Sequence, residues 1–397
     1  MEDRITLQKM EQERQQIFLG CDAHRKYSVF VTVDERGKAS APVRVEHDRP
    51  AFRRFLRGLQ AGTPVALEAT GSWYWLVDEM EEAGLMPHLA QPFAARRMLG
   101  TGSKKTDAVD ARCLATLLRN GTLPETWIPP AELRDLRNLM RSRLALREYQ
   151  TCLKNRIVAA CNRYGLREPE EDGDLFRGPG RYQLSQYASR LSEHTHAAVL
   201  CEWHLVDELE TQIQQLELKL KSELRAHPDA KRLKTLPGVG VVLSATIYLE
   251  MGWIERFPTA AHLASYAGLV PVVHASGGHI FYGPTSRRSN PYLRWAFVEA
   301  ANLAAMHRKR HPERHVSRLY ERLRAAKGHQ KAAVAVARHL AESAWWVLKK
   351  QQDYREPQPA VARGVFVPTT GQREAPSLAP RGCACDCETR DGEALAF

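Results

Sequence analysis

Residues 18–34 read FLGCDAHRKYSVFVTVD, and this stretch decides the fold of the first part of the chain. Two apolar runs, FLGC and YSVFVTV, flank a short polar segment, which is the pattern of two antiparallel strands joined by a tight turn. A third strand is expected in SAPVRVEH at residues 40–47. The stretch therefore predicts an antiparallel meander whose first strand ends at an acid, Asp22.

Helices and strands alternate beyond this meander. The sequence predicts a helix in RPAFRRFLRGL, a buried strand in PVALEA, a helix in WYWLVDEMEEAG and a short strand in MPHLA. Two more helices are expected in PFAARRML and TDAVDARCLATLLRN. Three strands followed by such an alternation is the element order of the ribonuclease H-like fold, although other mixed α/β folds share parts of it. We therefore predict a ribonuclease H-like α/β domain over residues 17–125.

The rest of the chain is predicted to be mainly helical, with residues 131–226 as a helical and coiled-coil linker. Heptad spacing marks this linker at Val206, Leu209, Ile213, Leu216 and Leu220. About two heptads fit either an intramolecular helical hairpin or a dimer contact, and both remain open. Residues 231–350 form a second compact, mainly α unit. Residues 355–397 are rich in Pro, Arg and Gly, and we expect them to be disordered.

The composition favours a polyanionic partner. The 397 residues include 57 Lys and Arg against 46 Asp and Glu, which gives a formal net charge of +11. That excess favours nucleic acid over an acidic membrane surface. No run of about 18 apolar residues is present to span a membrane, and the polar N-terminus is not typical of a secretory signal. Cysteines scattered through predicted strands and helices suggest reduced thiols, so we expect a cytoplasmic location.

Four carboxylates are expected at one edge of the predicted sheet. Asp22 ends the first strand and Glu68 ends the fourth, while Asp107 and Asp110 share one face at the start of a helix. Carboxylates packed together repel one another unless a cation neutralises them. Mg²⁺ takes oxygen ligands and bridges phosphates, so the group predicts a Mg²⁺ site that acts on a phosphodiester. Each acid alone also fits a plainer role, as a turn residue or a helix N-terminal acid.

The motifs that carry these acids resemble those of the insertion-sequence one-ten family of transposases. They read GCDAHRKYSVFVTVD, ALEATGSWYW and KKTDAVDARCLA. Downstream, TLPGVGVVLSATIYLEMGWIERFPTAAHLASYAGLVP, then ASGG and NPYLRW, resemble the C-terminal transposase domain of that family. The resemblance covers roughly residues 17–345. The motifs are specific in combination, whereas any one of them alone would be a weak signal. It implies a DEDD recombinase with a RuvC-like N-terminal domain, whose acidic roles fall to Asp22, Glu68, Asp107 and Asp110.

The resemblance also implies a serine nucleophile in the C-terminal domain, and the matching position is Ser276. Ser276 lies in the segment GLVPVVHASGGHIFYGPTSRRSNPYLRW, residues 268–295. A serine hydroxyl is a poor nucleophile alone, but a metal-bound phosphate and nearby cations lower the barrier. Ser286 and Ser289 are the local competitors, and a loop of this composition can also be a plain connector.

Several residues are candidates for contact with nucleic acid. Gly277 would let the backbone approach DNA closely, and Arg287 and Arg288 are candidate phosphate partners. The segment LPGVG resembles the turn of a helix-hairpin-helix motif, in which Gly238 and Gly240 would leave backbone N–H groups for a phosphate. A tight turn between two helices is the equal alternative. The arginine-rich helix at 134–167 either follows a nucleic-acid backbone or forms a solvated face.

These expectations converge on a transposase or recombinase that excises and inserts its own mobile DNA element. By resemblance, a structured noncoding RNA that pairs with donor and target DNA would supply the sequence choice. A homodimer or higher homo-oligomer is expected. The alternatives are a structure-selective RuvC-type nuclease that uses water as nucleophile, and a non-catalytic nucleic-acid-binding protein. The tail cysteines Cys383, Cys385 and Cys387 are spaced too closely for a typical zinc site.

Overall fold

A six-stranded sheet with the order β3-β2-β1-β4-β5-β6 forms the first part of the chain in the computed structural model. Its strands are β1 (Ile17–Ala23), β2 (Tyr27–Asp34), β3 (Val43–Glu46), β4 (Pro64–Glu68), β5 (Met86–Ala90) and β6 (Glu125–Thr126). The first three strands form an antiparallel meander, and β4 and β5 run parallel to β1. This order confirms the predicted ribonuclease H-like, RuvC-like sheet. The structure describes residues 16–99, 106–166, 173–285 and 289–357.

Helices cover both faces of this sheet. They are α1 (Arg49–Arg57), α2 (Trp73–Glu82), α3 (Pro92–Leu99) and α4 (Asp107–Arg119). On one face, Phe52 of α1 and Leu76 of α2 are buried in the same core as Phe30 of β2. On the other face, Leu114 of α4 packs with Ala66 of β4.

The contact between β1 and α4 depends on Gly20. A Cβ atom on Gly20 would lie 1.8 Å from the carbonyl oxygen of Ala111, so any other residue would force the helix away from the strand. This close approach holds the start of α4 beside the end of β1. It therefore brings Asp107 and Asp110 toward the strand that carries Asp22.

A long helical hairpin follows the sheet. It consists of α5 (Ala131–Arg163) and α7 (Glu193–Leu224), with the shorter α6 (Pro179–Ser189) between them. Three heptad positions, Val206, Ile213 and Leu220, are buried in this hairpin, whereas Leu209 and Leu216 are half-buried. The intramolecular alternative is therefore confirmed for the buried positions.

Five arginines of α5 make ion pairs within the protein, and the expectation of a solvated or backbone-following face was wrong for the buried ones, Arg134 and Arg143. The pairs along the helix are Arg134 with Asp78, Arg141 with Glu250, Arg143 with Glu217, Arg147 with Glu210 and Arg156 with Glu202. A buried arginine needs a partner because an unpaired charge is costly to remove from water. These pairs join α5 to the sheet domain, to α7 and to the C-terminal helices.

The C-terminal region is mainly α, as predicted, with one β-hairpin that the sequence analysis did not predict. Its elements are α8 (Pro228–Leu233), α9 (Val241–Met251), a 3₁₀ turn (Ile254–Arg256), α10 (Ala260–Tyr266), β7 (Pro271–Ser276), β8 (His279–Thr285), α11 (Pro291–Met306) and α12 (His315–Lys349). Its core includes Ile247, Phe297 and Leu340. Among the described helices, none combines the length and apolarity needed to cross a bilayer.

The described residues up to Tyr354 belong to one compact unit. Nearly all of the tail predicted at 355–397 lies outside the described residues, and so do its three cysteines. The other five cysteines are free thiols. Burial raises the pKa of the Cys21 thiol to about 12, so this sulfur beside Asp22 stays protonated and unreactive.

Candidate catalytic site

Two of the predicted acids end neighbouring parallel strands. Cys21 of β1 is in register with Leu67 of β4, so Asp22 and Glu68 follow side by side at the ends of these strands. Side chains alternate along a strand, which places both acids on the face that Gly20 and Ala66 turn toward α4. Both are half-buried.

The other two acids occupy the first turn of α4. Thr106 caps this helix, and its Oγ1 accepts a hydrogen bond from the backbone N–H of Val109 at 3.3 Å. The cap starts the helix at Asp107 and places Asp110 one turn later. Because the N-terminus of a helix carries partial positive charge, it tolerates two acids there.

His24 joins the two groups of acids, and the sequence analysis did not single it out. Its Nε2 atom lies 3.2 Å from Oδ2 of Asp22 and 3.2 Å from Oδ2 of Asp107. Tyr27 donates a hydrogen bond from its hydroxyl to the same oxygen of Asp107 at 3.1 Å. The signal that could have found His24 is its position two residues after Asp22, directly beyond the end of β1.

The acids affect one another electrostatically. Burial raises the pKa of the Asp22 carboxyl above its ordinary value; His24 opposes this shift, and the charges of Asp110 and Asp107 add to it. A carboxylate in such surroundings is stabilised by a cation. Ligand atoms of Asp22, His24 and Asp107 all lie within 4.8 Å of one another, a spacing that one metal ion can bridge. The residues present therefore fit a divalent cation.

Ser276 lies at the corner of the hairpin formed by β7 and β8. It pairs with His279, and Gly277 and Gly278 between them have φ values of 57° and 79°. A two-residue hairpin turn of this kind requires positive φ at both central positions, which explains the Gly-Gly pair. Ser276 is exposed. No hydrogen bond or ion pair within the described ranges connects this hairpin to the acids, and Ser286, Arg287 and Arg288 lie outside those ranges.

The start of α11 is anchored by a buried acid, Glu250 of α9. Glu250 accepts hydrogen bonds from Arg141 at 2.7 and 2.8 Å and from the side-chain amide of Asn290 at 2.7 Å. Asn290 also caps α11, because its Oδ1 accepts from the backbone N–H of Leu293. The N-terminus of α11 is thus fixed to both α9 and α5.

The two glycines of LPGVG have different surroundings. A Cβ atom on Gly238, whose φ is 75°, would lie 2.1 Å from the carbonyl oxygen of Ala300, whereas a Cβ atom on Gly240 would meet nothing within 4 Å. Gly238 therefore serves the packing of this turn against α11. Gly240 is exposed at the start of α9 and keeps its backbone accessible.

We expect the two corresponding alanine variants to separate packing from binding. Gly238→Ala should lower the free energy of unfolding by at least about 2 kcal/mol, because the new methyl group collides with backbone and the φ value is strained. Gly240→Ala should change it by less than about 0.5 kcal/mol and weaken DNA binding. Denaturant unfolding and filter binding measure the two effects. Unchanged DNA binding by Gly240→Ala would leave this turn a structural connector.

Comparison with known proteins gives two family matches. Residues 230–317 match the model described as the transposase IS116/IS110/IS902 family, and residues 19–165 match a DEDD transposase model of IS110 type. The chain is 26% identical over 349 residues to the transposase for insertion sequence element IS1111A of Coxiella burnetii, covering 85% of this chain and 91% of that protein. It is 24% identical over 244 residues to the transposase for IS1328 of Yersinia enterocolitica, covering 60% and 70%.

Proposed function

The chain belongs to the IS116/IS110/IS902 family of transposases, and from this premise we propose that it excises and inserts its own mobile element through a serine nucleophile. A DNA-transposition enzyme needs DNA as its partner. In this proposal residues 17–125 hold the acids, 131–226 link the parts, and 231–350 present the serine. The observation that carries the proposal is the convergence of Asp22, Asp107 and Asp110 at one sheet edge, beside the strand end at Glu68.

Asp22, Glu68, Asp107 and Asp110 would hold Mg²⁺ against the scissile phosphate. The metal, when bound, would withdraw charge from the phosphate oxygens and make phosphorus more open to attack. The four acids would hold the ion at the sheet edge. Support comes from the half-buried placement of these acids and from the raised pKa of Asp22, whose carboxylate gains from a nearby cation.

Ser276 would supply the nucleophile. Its Oγ–H attacks phosphorus, so that a serine–phosphate bond forms while the bond from phosphorus to one deoxyribose oxygen breaks. The proton that Oγ loses passes to the departing oxygen, directly or through solvent, and the strand remains linked to the protein until a second DNA hydroxyl attacks the same phosphorus and returns the proton to Oγ. The exposed corner position of Ser276 supports this role, since a duplex can reach the hydroxyl there.

The separation of hairpin and acids leads to a proposal about assembly. No hydrogen bond or ion pair among the described residues joins them within one chain, and we infer that the acids of one protomer meet the serine of another in a homodimer or higher homo-oligomer. Leu209 and Leu216 of α7 are half-buried in the helical hairpin and would contact the second copy.

Changing both leucines to glutamate should dissociate the oligomer and lower recombination at least about tenfold, because carboxylates are costly to bury in an apolar interface. Light scattering and a recombination assay measure these effects. Gln212→Glu with Gln215→Glu, two exposed positions on the same helix, is the matched control. Thermal unfolding shows whether the hairpin itself is intact. Full activity in the leucine variant would contradict the proposed assembly.

We propose that a structured noncoding RNA selects the DNA sites of excision and insertion by base pairing. The protein would recognise the shape of this RNA and bind the DNA backbone. Support comes from the net charge of +11 and from the family resemblance. Gly240, Gly277, Arg287 and Arg288 remain the proposed backbone contacts. Gly238 is also a proposed backbone contact, but its packing against α11 already explains why a glycine stands there. Such a protein would act in the cytoplasm, where its DNA lies.

A donor plasmid that carries the element with its own flanks tests the function. Wild-type protein should release the element and leave a rejoined donor, whereas a simple nuclease would leave broken ends. The nuclease remains the second candidate, because no hydrogen bond or ion pair among the described residues links Ser276 to the acids. A protein that only binds DNA would give neither product.

A further inference from the structure

An imidazole lies among the acids of the proposed metal site, although the DEDD pattern names carboxylates alone. We propose that His24 is itself a ligand of the divalent cation, through Nε2, so that the site mixes nitrogen with oxygen. This inference rests on the proposed metal site and adds a residue to it. It predicts a metal preference that a purely carboxylate site would not have.

Distances carry the first step. Nε2 of His24 lies 3.2 Å from one oxygen of Asp22 and 3.2 Å from one oxygen of Asp107. Ligand atoms at right angles around an ion that is about 2.1 Å from each are about 3 Å apart. These separations therefore have the size expected for neighbouring ligands of one six-coordinate ion.

The orientation of the ring carries the second step. Nε2 is buried, although 39% of the His24 side chain is exposed, and neither carboxylate meets the geometry of a hydrogen bond with it, even though the close approach of His24 lowers the pKa of Asp22. A cation placed between these atoms would give the buried nitrogen a partner. The exposed part of the ring leaves the solvent side of the site open to a phosphate.

Neighbouring residues hold His24 and Asp107 in these positions. The backbone N–H of His24 donates to the carbonyl of Tyr27 at 2.9 Å, and the two rings pack with centroids 4.8 Å apart. The Tyr27 hydroxyl bonds Asp107, and the guanidinium of Arg44 lies 3.6 Å from the centre of the Tyr27 ring. Tyr27 is thus a positioning residue that supports an imidazole ligand and a carboxylate ligand at once.

Ligand chemistry gives the expected consequence. Mg²⁺ binds nitrogen weakly, whereas imidazole is an ordinary ligand for transition metals. A site with His24 as ligand should therefore bind Mn²⁺ more tightly than Mg²⁺. The competing explanation is that His24 carries a proton and takes the place of a cation between the two acids. The two explanations predict opposite effects of removing the ring.

The test uses the full chain with Mn²⁺ alone as the probe. Pulsed electron paramagnetic resonance should detect ¹⁴N coupling to bound Mn²⁺ in the wild type and lose it in His24→Ala and His24→Asn. The Kd for Mn²⁺ should rise at least about tenfold in both variants, and the Kd for Mg²⁺ should rise less. His194→Ala, which removes an exposed histidine of α7, is the matched control and should behave as wild type.

The other outcomes separate this inference from the proposed function. Bound Mn²⁺ without ¹⁴N coupling in the wild type would overturn the role of His24 and leave the carboxylate site standing. Tighter Mn²⁺ binding by His24→Ala would also overturn it, in favour of a protonated ring that competes with the metal. Failure of the wild type to bind Mn²⁺ would overturn both the inference and the metal site. Circular dichroism confirms that the variants are folded.

Discussion

Ser276→Ala should abolish the covalent link between protein and DNA and lower strand exchange at least about a thousandfold. The hydroxyl supplies the attacking oxygen in the proposed reaction, and the methyl group of alanine cannot replace it. The hairpin should keep its fold, because Ser276 is exposed and the turn depends on the two glycines that follow it. The loss would therefore be chemical.

Denaturation in SDS after incubation with Mg²⁺ and with DNA and RNA from the element's own locus measures this adduct. Ser286→Ala and Ser289→Ala are matched controls, since both remove a hydroxyl from the same segment, and both should keep the adduct. Strand cleavage without an adduct in any of these proteins would favour hydrolysis by water. The hairpin would then act as a connector or a binding element, and the nuclease would become the better assignment.

Asp22→Asn should abolish strand cleavage, by at least about a thousandfold, and should stabilise the protein when metal is removed with a chelator. The first effect follows from the loss of a central ligand of the proposed metal site. The second follows from the raised pKa of Asp22, which means that folding disfavours its charged form. Such opposite effects on activity and stability are expected for a carboxylate that the reaction requires but whose charge destabilises the folded state.

The raised pKa of Asp22 determines how the free energy of unfolding of the wild type changes with pH. Because the pKa of Asp22 is higher in the folded state than its ordinary value of 3.8, the wild type loses stability as pH rises between the two values. Above that window the full cost is present, so at neutral pH the asparagine variant should unfold at a higher temperature. With Mg²⁺ present, the wild type should instead unfold at the higher temperature, because the ion stabilises the wild type alone.

Thermal unfolding with chelator, and then with Mg²⁺, shows which of the two proteins unfolds at the higher temperature under each condition. Asp135→Asn changes an exposed acid of α5 and should have no effect on unfolding or on cleavage. A less stable Asp22→Asn protein in chelator would mean that the contact between Asp22 and His24 is a net stabilising ion pair. Retained activity would favour the non-catalytic alternative.

Local patterns predicted the sheet and the placement of its acids. The alternation of apolar residues in YSVFVTVD and the short apolar run PVALE both predict strands. This inference needs only the local sequence, because the spacing of apolar residues indicates which side chains face the core. Asp22 and Glu68 could then be assigned to one edge, since parallel strands end together. The hairpin at Ser276 was missed, although apolar runs on both sides of Gly-Gly are a hairpin signal. The Ser and Arg content of the segment obscured it.

Long-range partners explain what the sequence could not show. Arg137 is buried because it donates to the carbonyl groups of Leu249 and Glu250, more than a hundred positions later. A helix rich in arginine resembles a nucleic-acid surface as long as such partners are unknown. The role of His24 likewise depends on Asp107, which a separate helix brings to the end of β1.

The close approach of β1 and α4 at Gly20 has a consequence for protein engineering. Because a Cβ atom there would collide with Ala111, the strand and the helix that carry the acids have to be transplanted together into any chimeric recombinase. A library that varies Gly20 would consist mostly of inactive members. The outer side chains of the hairpin place no such limit on design, since Phe281 and Tyr282 are 66% and 72% exposed. Substitutions intended to leave the fold intact are best concentrated there.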